Sequence, residues 1–389
     1  MNRLIIIGNG FDLAHGLKTS YKDFINWYWE QRIDDLVSNH TTELKDCLCT
    51  IYITKESGNT SWSSFAFQNS YFKNFDNTRK CTGLEFFQFI KENRKYFIIK
   101  YTPFFERITN SIETKGWVDI ENEYYELLKK NAGELYLCKQ LNNQLDFLRE
   151  KLAEYLNSLQ KCERNNRIFN LMTDIFDPED FAISSKEQAL KDIRGNANAY
   201  INLDIENIKR DQIELQKWIP GHIMLLSFNY TNTAKLYENF NISHNYIHGE
   251  LSKPNEMIFG YGDELDKRYN DLRDRNENEL LKYIKTVKYL ETGHYRKMLN
   301  FIESAPFQVF IMGHSCGNSD RTLLNTIFEH ENCVSIKPFY YVKPDGTDTH
   351  QELSINITRN FTNTHLCRDR VVNKERCQEL PQCPKDTNE

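Results

Sequence analysis

The sequence predicts an α/β fold in which a parallel sheet is flanked by helices and interrupted by a large helical insertion. Short apolar runs at 4–7, 222–228 and 307–312 are nearly continuous rather than alternating, as in strands covered on both faces. Each run ends in a polar loop rich in Gly, Asn or Ser, which gathers those loops at the carboxyl edge of such a sheet. A long polar and aromatic segment with helical periodicity separates the first run from the second.

In chain order, Leu4, Ile5, Ile6 and Ile7 lead into Gly8, Asn9 and Gly10, a strand, a tight turn and a helix start. Leu141, Leu145, Leu148, Leu152, Tyr155, Leu156 and Leu159 form a stripe over about five turns, with charged residues opposite, which reads as a core-facing helix rather than a coiled coil. Further strands are expected at 222–228, 245–248, 257–259, 307–312 and 336–342. Helix is expected over 270–304, interrupted near Gly293. The tail carries Pro381 and Pro384 and few large apolar residues. The expected organisation is a core of 1–30 plus 220–365, a mainly helical insertion at 31–219, and a loosely packed polar tail at 366–389.

The 389 residues allow two or three folded units; 40% are apolar and 13% aromatic, so a disordered or collagen-like chain is excluded. Lys plus Arg number 49 against 55 for Asp plus Glu, a net charge of −6, which gives no basic field for nucleic acid. No apolar run approaches the roughly 18 residues of a membrane span, and the start lacks a secretory pattern, so a cytoplasmic protein without a membrane partner is expected. The ten cysteines are scattered and form no Cys-x-x-Cys pair; free thiols are the expectation. The spacing of His365, Cys367, Cys377 and Cys383 matches no usual zinc knuckle, and no metal is expected.

Four loops carry the candidate chemistry. Gly8, Asn9 and Gly10, with Asp12, form a turn that either brings backbone amides to a pyrophosphate or is an ordinary strand-to-helix connection with Asp12 as a cap. Gly16 replaces the usual third glycine spacing, since position 13 is Leu. Asn229, in Ser-Phe-Asn-Tyr-Thr-Asn-Thr at 227–233, offers a donor and an acceptor to a ligand, or caps a turn. His248, followed by Gly249, has the chemistry of a general base and equally that of a structural histidine. Gly313, Ser315 and Asp320, in the loop after the run at 307–312, suit a nucleotide pocket.

Taken together, IIIGNGFDLAHGLKTSYKDF near the N-terminus, the segment from Trp117 to Glu121, SFNYTNT, IHGE, IFGYGDE and MGHSCGNSDRTLLN resemble the bacteriophage abortive-infection AbiH family over residues 4 to 325. The same order of loops is similar to the sirtuin-like, Rossmann-like NAD-binding fold, and the 19-residue step from Asn229 to His248 fits it. That resemblance implies NAD as ligand. Gly8, Gly10 and Asp12 would lie near phosphates and ribose, with Asn9 between the glycines also counted as cofactor-binding; Asn229 would position the nicotinamide ribose or a water, and His248 would act as base. Gly313 and Ser315 would contact the far side of the dinucleotide, and Asp320 of the same loop is counted with the cofactor-binding residues. Departures are the missing second carboxylate after Asn229 and the missing Cys-x-x-Cys ribbon, so lysine deacylation is disfavoured. The expected function is an anti-phage effector that hydrolyses the nicotinamide-ribose bond of NAD; the alternative is a non-catalytic nucleotide sensor or scaffold. Implied partners are NAD or a related nucleotide, a phage-derived trigger and further copies of the chain.

Overall fold

The computed structural model describes residues 1–38, 42–54, 82–115, 119–195 and 218–383. Its strands, in chain order, are β1 (Asn2–Ile7), β2 (Glu43–Lys45), β3 (Cys49–Ile53), β4 (Phe97–Tyr101), β5 (Ile223–Ser227), β6 (Ile242–Tyr246), β7 (Phe307–Met312) and β8 (Cys333–Phe339). The chain divides into two compact units. One comprises 1–18, 159–275 and 283–389, and the other 19–158 and 276–282.

The first unit holds a five-stranded sheet ordered β6-β5-β1-β7-β8, with every pairing parallel. Counted along the chain within this sheet the order is 3-2-1-4-5, which matches the first five strands of a doubly wound nucleotide-binding sheet. Alternation along β1 sends Leu4 and Ile6 to one core cluster and Ile5 and Ile7 to another. The helix His294–Ser304, through Met298 and Ile302, and the helix Arg321–Phe328, through Leu324 and Ile327, cover the first face. Asn9–Ala14 and Asn166–Thr173 cover the second. Both faces are therefore dry, which is why the strands read as unbroken apolar runs; each buried aliphatic side chain contributes about 1.5–3 kcal/mol.

Two expectations are corrected here. Residues 257–259 are buried but form no strand: the Ile258 N–H donates to the His248 carbonyl at 2.8 Å, and the Ile258 carbonyl accepts from the Tyr230 hydroxyl at 2.7 Å. Their apolar character comes from core packing, without a ladder. The helix expected over 270–304 is broken into Lys267–Arg273, Asn278–Leu281, Lys285–Tyr289 and His294–Ser304, with Gly293 as the N-cap of the last.

In the second unit, Leu135–Ser158 buries Leu141, Leu145, Leu148, Leu152, Tyr155 and Leu156, all of the stripe read from the sequence except Leu159, which follows the helix and is half-buried. Beside the helices of this unit stands an antiparallel sheet ordered β2-β3-β4. Asp119 caps Ile120–Asn131 by accepting from the Asn122 N–H at 3.0 Å; Trp117 and Val118 lie outside the described residues. Beyond residue 366 the first unit remains packed: the helix Thr364–Arg370 buries Arg370, and Leu380 joins the core beneath β1. Residues 384–389 lie outside the described residues.

Candidate functional site

Because the five strands are parallel, the loops at Gly8, Asn229, His248 and Gly313 all emerge from one edge of the sheet. Strand order reverses between β1 and β7, where ligands of such sheets bind. Here the two loops meet backbone to backbone. The Gly10 N–H donates to the Gly313 carbonyl at 2.8 Å. A Cβ on Gly8 would fall 2.5 Å from His314 Cα, and one on Gly313, whose φ is +75°, would fall 2.0 Å from the Phe11 nitrogen. The glycines thus serve a close approach between loops, and the Gly10 amide is already engaged. Gly8, rather than Asp12, is the N-cap of the helix Asn9–Ala14; Asn9 is exposed at its start.

Asp12 lies inside that helix and is buried. The Thr231 hydroxyl donates to its Oδ2 at 2.6 Å, while Oδ1 is buried without a hydrogen-bond partner. Burial pushes this carboxyl up to about 6, against the pull of Thr231, Thr233 and Asn229. Asn229 is half-buried, and its Nδ2 donates to the Gly8 carbonyl at 2.9 Å. Asp12 and Asn229 thereby bind the loops after β1 and β5 together.

His248 sits in a second cluster, with 4% of its surface exposed. Its Nε2 lies 3.1 Å from Asp320 Oδ1 and 3.2 Å from the Tyr289 hydroxyl, and Phe228 meets the imidazole edge-on at 5.0 Å. Lys285, fully buried, donates from Nζ to the same Asp320 oxygen at 2.8 Å. His314 Nε2 lies 3.7 Å from the other oxygen, and its Nδ1 accepts from the Cys316 N–H at 3.0 Å. Burial holds His248 down at about 4, with the Lys285 charge acting in the same direction. Burial alone would raise the Asp320 carboxyl, but Lys285 and then His248 outweigh it and hold it well below the usual carboxylate range. At neutral pH the cluster is an ionised Lys285–Asp320 pair beside a neutral imidazole.

Two cavities flank the loop 313–320. One, of about 550 Å³, is lined by Asp320, Tyr289, Tyr295, Arg296 and Glu264. The other, of about 490 Å³, lies at the strand reversal and is lined by Gly10, Gly313, His314, Ser315, Tyr341 and Glu352. The expected binding residues are thus divided between them: Gly10, Gly313 and exposed Ser315 line one, Asp320 the other, and Gly8, Asn9, Asp12, Asn229 and His248 line neither. Lys285 and Tyr289 are the residues that sequence reasoning missed. They come from a helical stretch whose spacing carries no sign that an aspartate 35 residues on is the partner of Lys285.

The family model described as bacteriophage abortive infection AbiH matches residues 4–342, which takes in all four loops and the cavity lined by Asp320, whereas the other cavity also draws on residues beyond the match, Glu352 among them. The chain belongs to the AbiH family. Its AbiH match supports a role in abortive infection of phage. No curated protein and no solved structure gives a match. Among the described residues of this AbiH chain, no helix is long and apolar enough to cross a membrane. Among the described residues, no group of three or more His, Cys, Asp or Glu is placed to hold a metal ion.

Proposed function

We propose that this AbiH chain is an anti-phage effector that binds NAD at the carboxyl edge of its five-stranded sheet and hydrolyses the nicotinamide-ribose bond, in a core of sirtuin-like, Rossmann-like type. The observation that carries the reading is the hydrogen-bonded set of His248 and Asp320, from the loops after β6 and β7, with Lys285 from the short helix Lys285–Tyr289. An ionised carboxylate facing Nε2 of a neutral histidine keeps the proton on Nε2 and leaves the lone pair on Nδ1, the form a general base requires. The nicotinamide end of the dinucleotide lies toward the cavity lined by Asp320 and Tyr289, the side on which His248 sits, and its far end occupies the cavity lined by Gly10, Gly313, His314 and Ser315, where Tyr341 and Glu352 offer a ring face and an acceptor.

In the reaction the bond between ribose C1′ and the nicotinamide nitrogen breaks, and its electron pair leaves with neutral nicotinamide. Water adds to the resulting oxocarbenium carbon and gives up its proton to His248; the products are ADP-ribose, nicotinamide and a proton. Asn229, fixed through the Gly8 carbonyl, orients the ribose or the water. No strong acid is needed, since nicotinamide is cationic while attached.

One observation favours the second reading, a nucleotide sensor without turnover: His248 is shut away and the Gly10 amide is spent on Gly313. Calorimetric titration with NAD alongside a nicotinamide-release assay separates the two. Binding with release that Asn229→Ala and His248→Ala abolish in folded protein supports the hydrolase. Binding without release supports the sensor, and absence of binding overturns both.

A further inference from the structure

The buried state of His248 depends on a five-residue helix, Lys285–Tyr289. From this helix, Lys285 reaches Asp320 at 2.8 Å, and Tyr289 places its hydroxyl 3.2 Å from His248 Nε2, with its ring stacked on the imidazole at 6.3 Å and 15°. Two main-chain hydrogen bonds hold its entrance: Tyr261 N–H to the Tyr283 carbonyl at 3.1 Å, and Lys285 N–H to the Tyr261 carbonyl at 2.9 Å. A helix this short has no stability of its own, so its position is set by these contacts.

The chain that feeds this helix groups with the other unit as far as Lys282. In that unit the buried Asn142 donates from Nδ2 to the Glu279 carbonyl at 3.0 Å and to its carboxylate at 2.8 Å. Asn142 Oδ1 accepts from the Tyr124 hydroxyl at 2.7 Å. Six residues separate Glu279 from Lys285, a reach of at most about 20 Å when fully extended. A displacement of Glu279 that exceeds the slack in this tether is therefore felt at Lys285.

We propose that Lys285–Tyr289 is an autoinhibitory latch over His248 and that the segment 276–282, anchored by Asn142, is the handle that releases it. The proposal rests on the reading of His248 as the base, and it accounts for a reactive histidine stored in an inaccessible state. Release uncovers His248 beside the cavity that Tyr289 and Asp320 line.

The test is acylation of the full chain by diethylpyrocarbonate at pH 7, with His248 and the exposed His365 followed separately by mass spectrometry. A neutral imidazole reacts when it is reachable, so the His248 rate reports access. In the wild-type chain His248 reacts at least about tenfold more slowly than His365, as a locally protected group does. Tyr289→Ala brings the two rates within about threefold of each other, and Glu279→Ala speeds His248 several-fold without changing His365. If Tyr289→Ala fails to fold by circular dichroism, Tyr289→Phe keeps the ring, loses the hydroxyl and shows the same direction. Equal rates in the wild-type chain, or no effect of the Tyr289 variants, overturn the latch; no effect of Glu279→Ala overturns the handle. Labelling uses no NAD, so a chain that never cleaves NAD still passes or fails this test.

Discussion

Lys285 Nζ and Asp320 Oδ1 stand 2.8 Å apart with the lysine fully buried and the aspartate nearly so, and the same oxygen faces His248 at 3.1 Å. One carboxylate oxygen thus serves a cation and an imidazole together. Removing either partner leaves the other group charged in a place that water does not reach. Lys285→Met is accordingly expected to cost about 3–5 kcal/mol, whereas Lys285→Met combined with Asp320→Leu costs less than the single change. Urea denaturation of the three chains checks this, and a double variant at least as unstable as Lys285→Met would contradict the pairing.

Acid and base dependence divides between two buried groups. His248 titrates at about 4 in the fold against 6.5 in an unfolded chain, so the unfolded chain takes up a proton that the fold refuses. Its contribution to stability falls as pH drops from 6.5 to about 4. Asp12 titrates at about 6 in the fold against 3.8 unfolded; the fold keeps a proton that the unfolded chain releases, and its contribution is lost as pH rises from 3.8 through about 6. Between pH 4 and 6 the two slopes oppose each other. Asp12→Asn removes one of them, so the variant loses stability on acidification more steeply than wild type, by up to about 1.4 kcal/mol per pH unit. Urea midpoints at pH 4.5, 5.5 and 6.5 measure it; parallel curves would count against the assignment.

The glycine loops invite a paired comparison. Gly313 and Gly16 both have positive φ, +75° and +81°, but a Cβ on Gly313 strikes the Phe11 nitrogen while one on Gly16 meets nothing within 4 Å. Gly16→Ala is expected to cost about 1–2 kcal/mol from left-handed strain alone, and Gly313→Ala distinctly more. Thermal melts of both variants decide whether the contact between the loops is as tight as described.

Much of the first unit was legible because burial on both faces leaves an unmistakable mark: β1, β5 and β7 are nearly unbroken apolar runs. Residues 257–259 carry the same mark without a strand, since pattern reports burial and not the hydrogen-bond partner. The sheet β2-β3-β4 escaped notice. Cys49, Ile51 and Ile53 alternate with Thr50 and Tyr52, but five residues are too few to stand out in a segment dominated by helical periodicity. At the site, His248 and Asp320 were visible as strand-end polar residues, although nothing in their spacing shows that they touch. The glycine turn read equally as a phosphate cradle and as an ordinary strand-to-helix connection, and sequence spacing gave no sign that its glycines would lie against Gly313.

The tail offers a further check. Leu380 shares a core cluster with Ile5, Ile7 and Phe339, and its N–H donates to the Tyr340 carbonyl at 2.8 Å. Leu380→Ala is expected to destabilise the chain by about 2–5 kcal/mol, measured by denaturant unfolding, and a change within a few tenths would mean that the tail is not part of the fold.

Nicotinamide release from NAD, followed by chromatography, tests the central claim most directly. The measurement uses the wild-type chain, Asn229→Ala, His248→Ala and Glu279→Ala. The account predicts release by the wild-type chain, faster release by Glu279→Ala, and a loss of about a hundredfold or more in each of the two site variants while they remain folded. Absence of release from both the wild-type and the Glu279→Ala chain would contradict it.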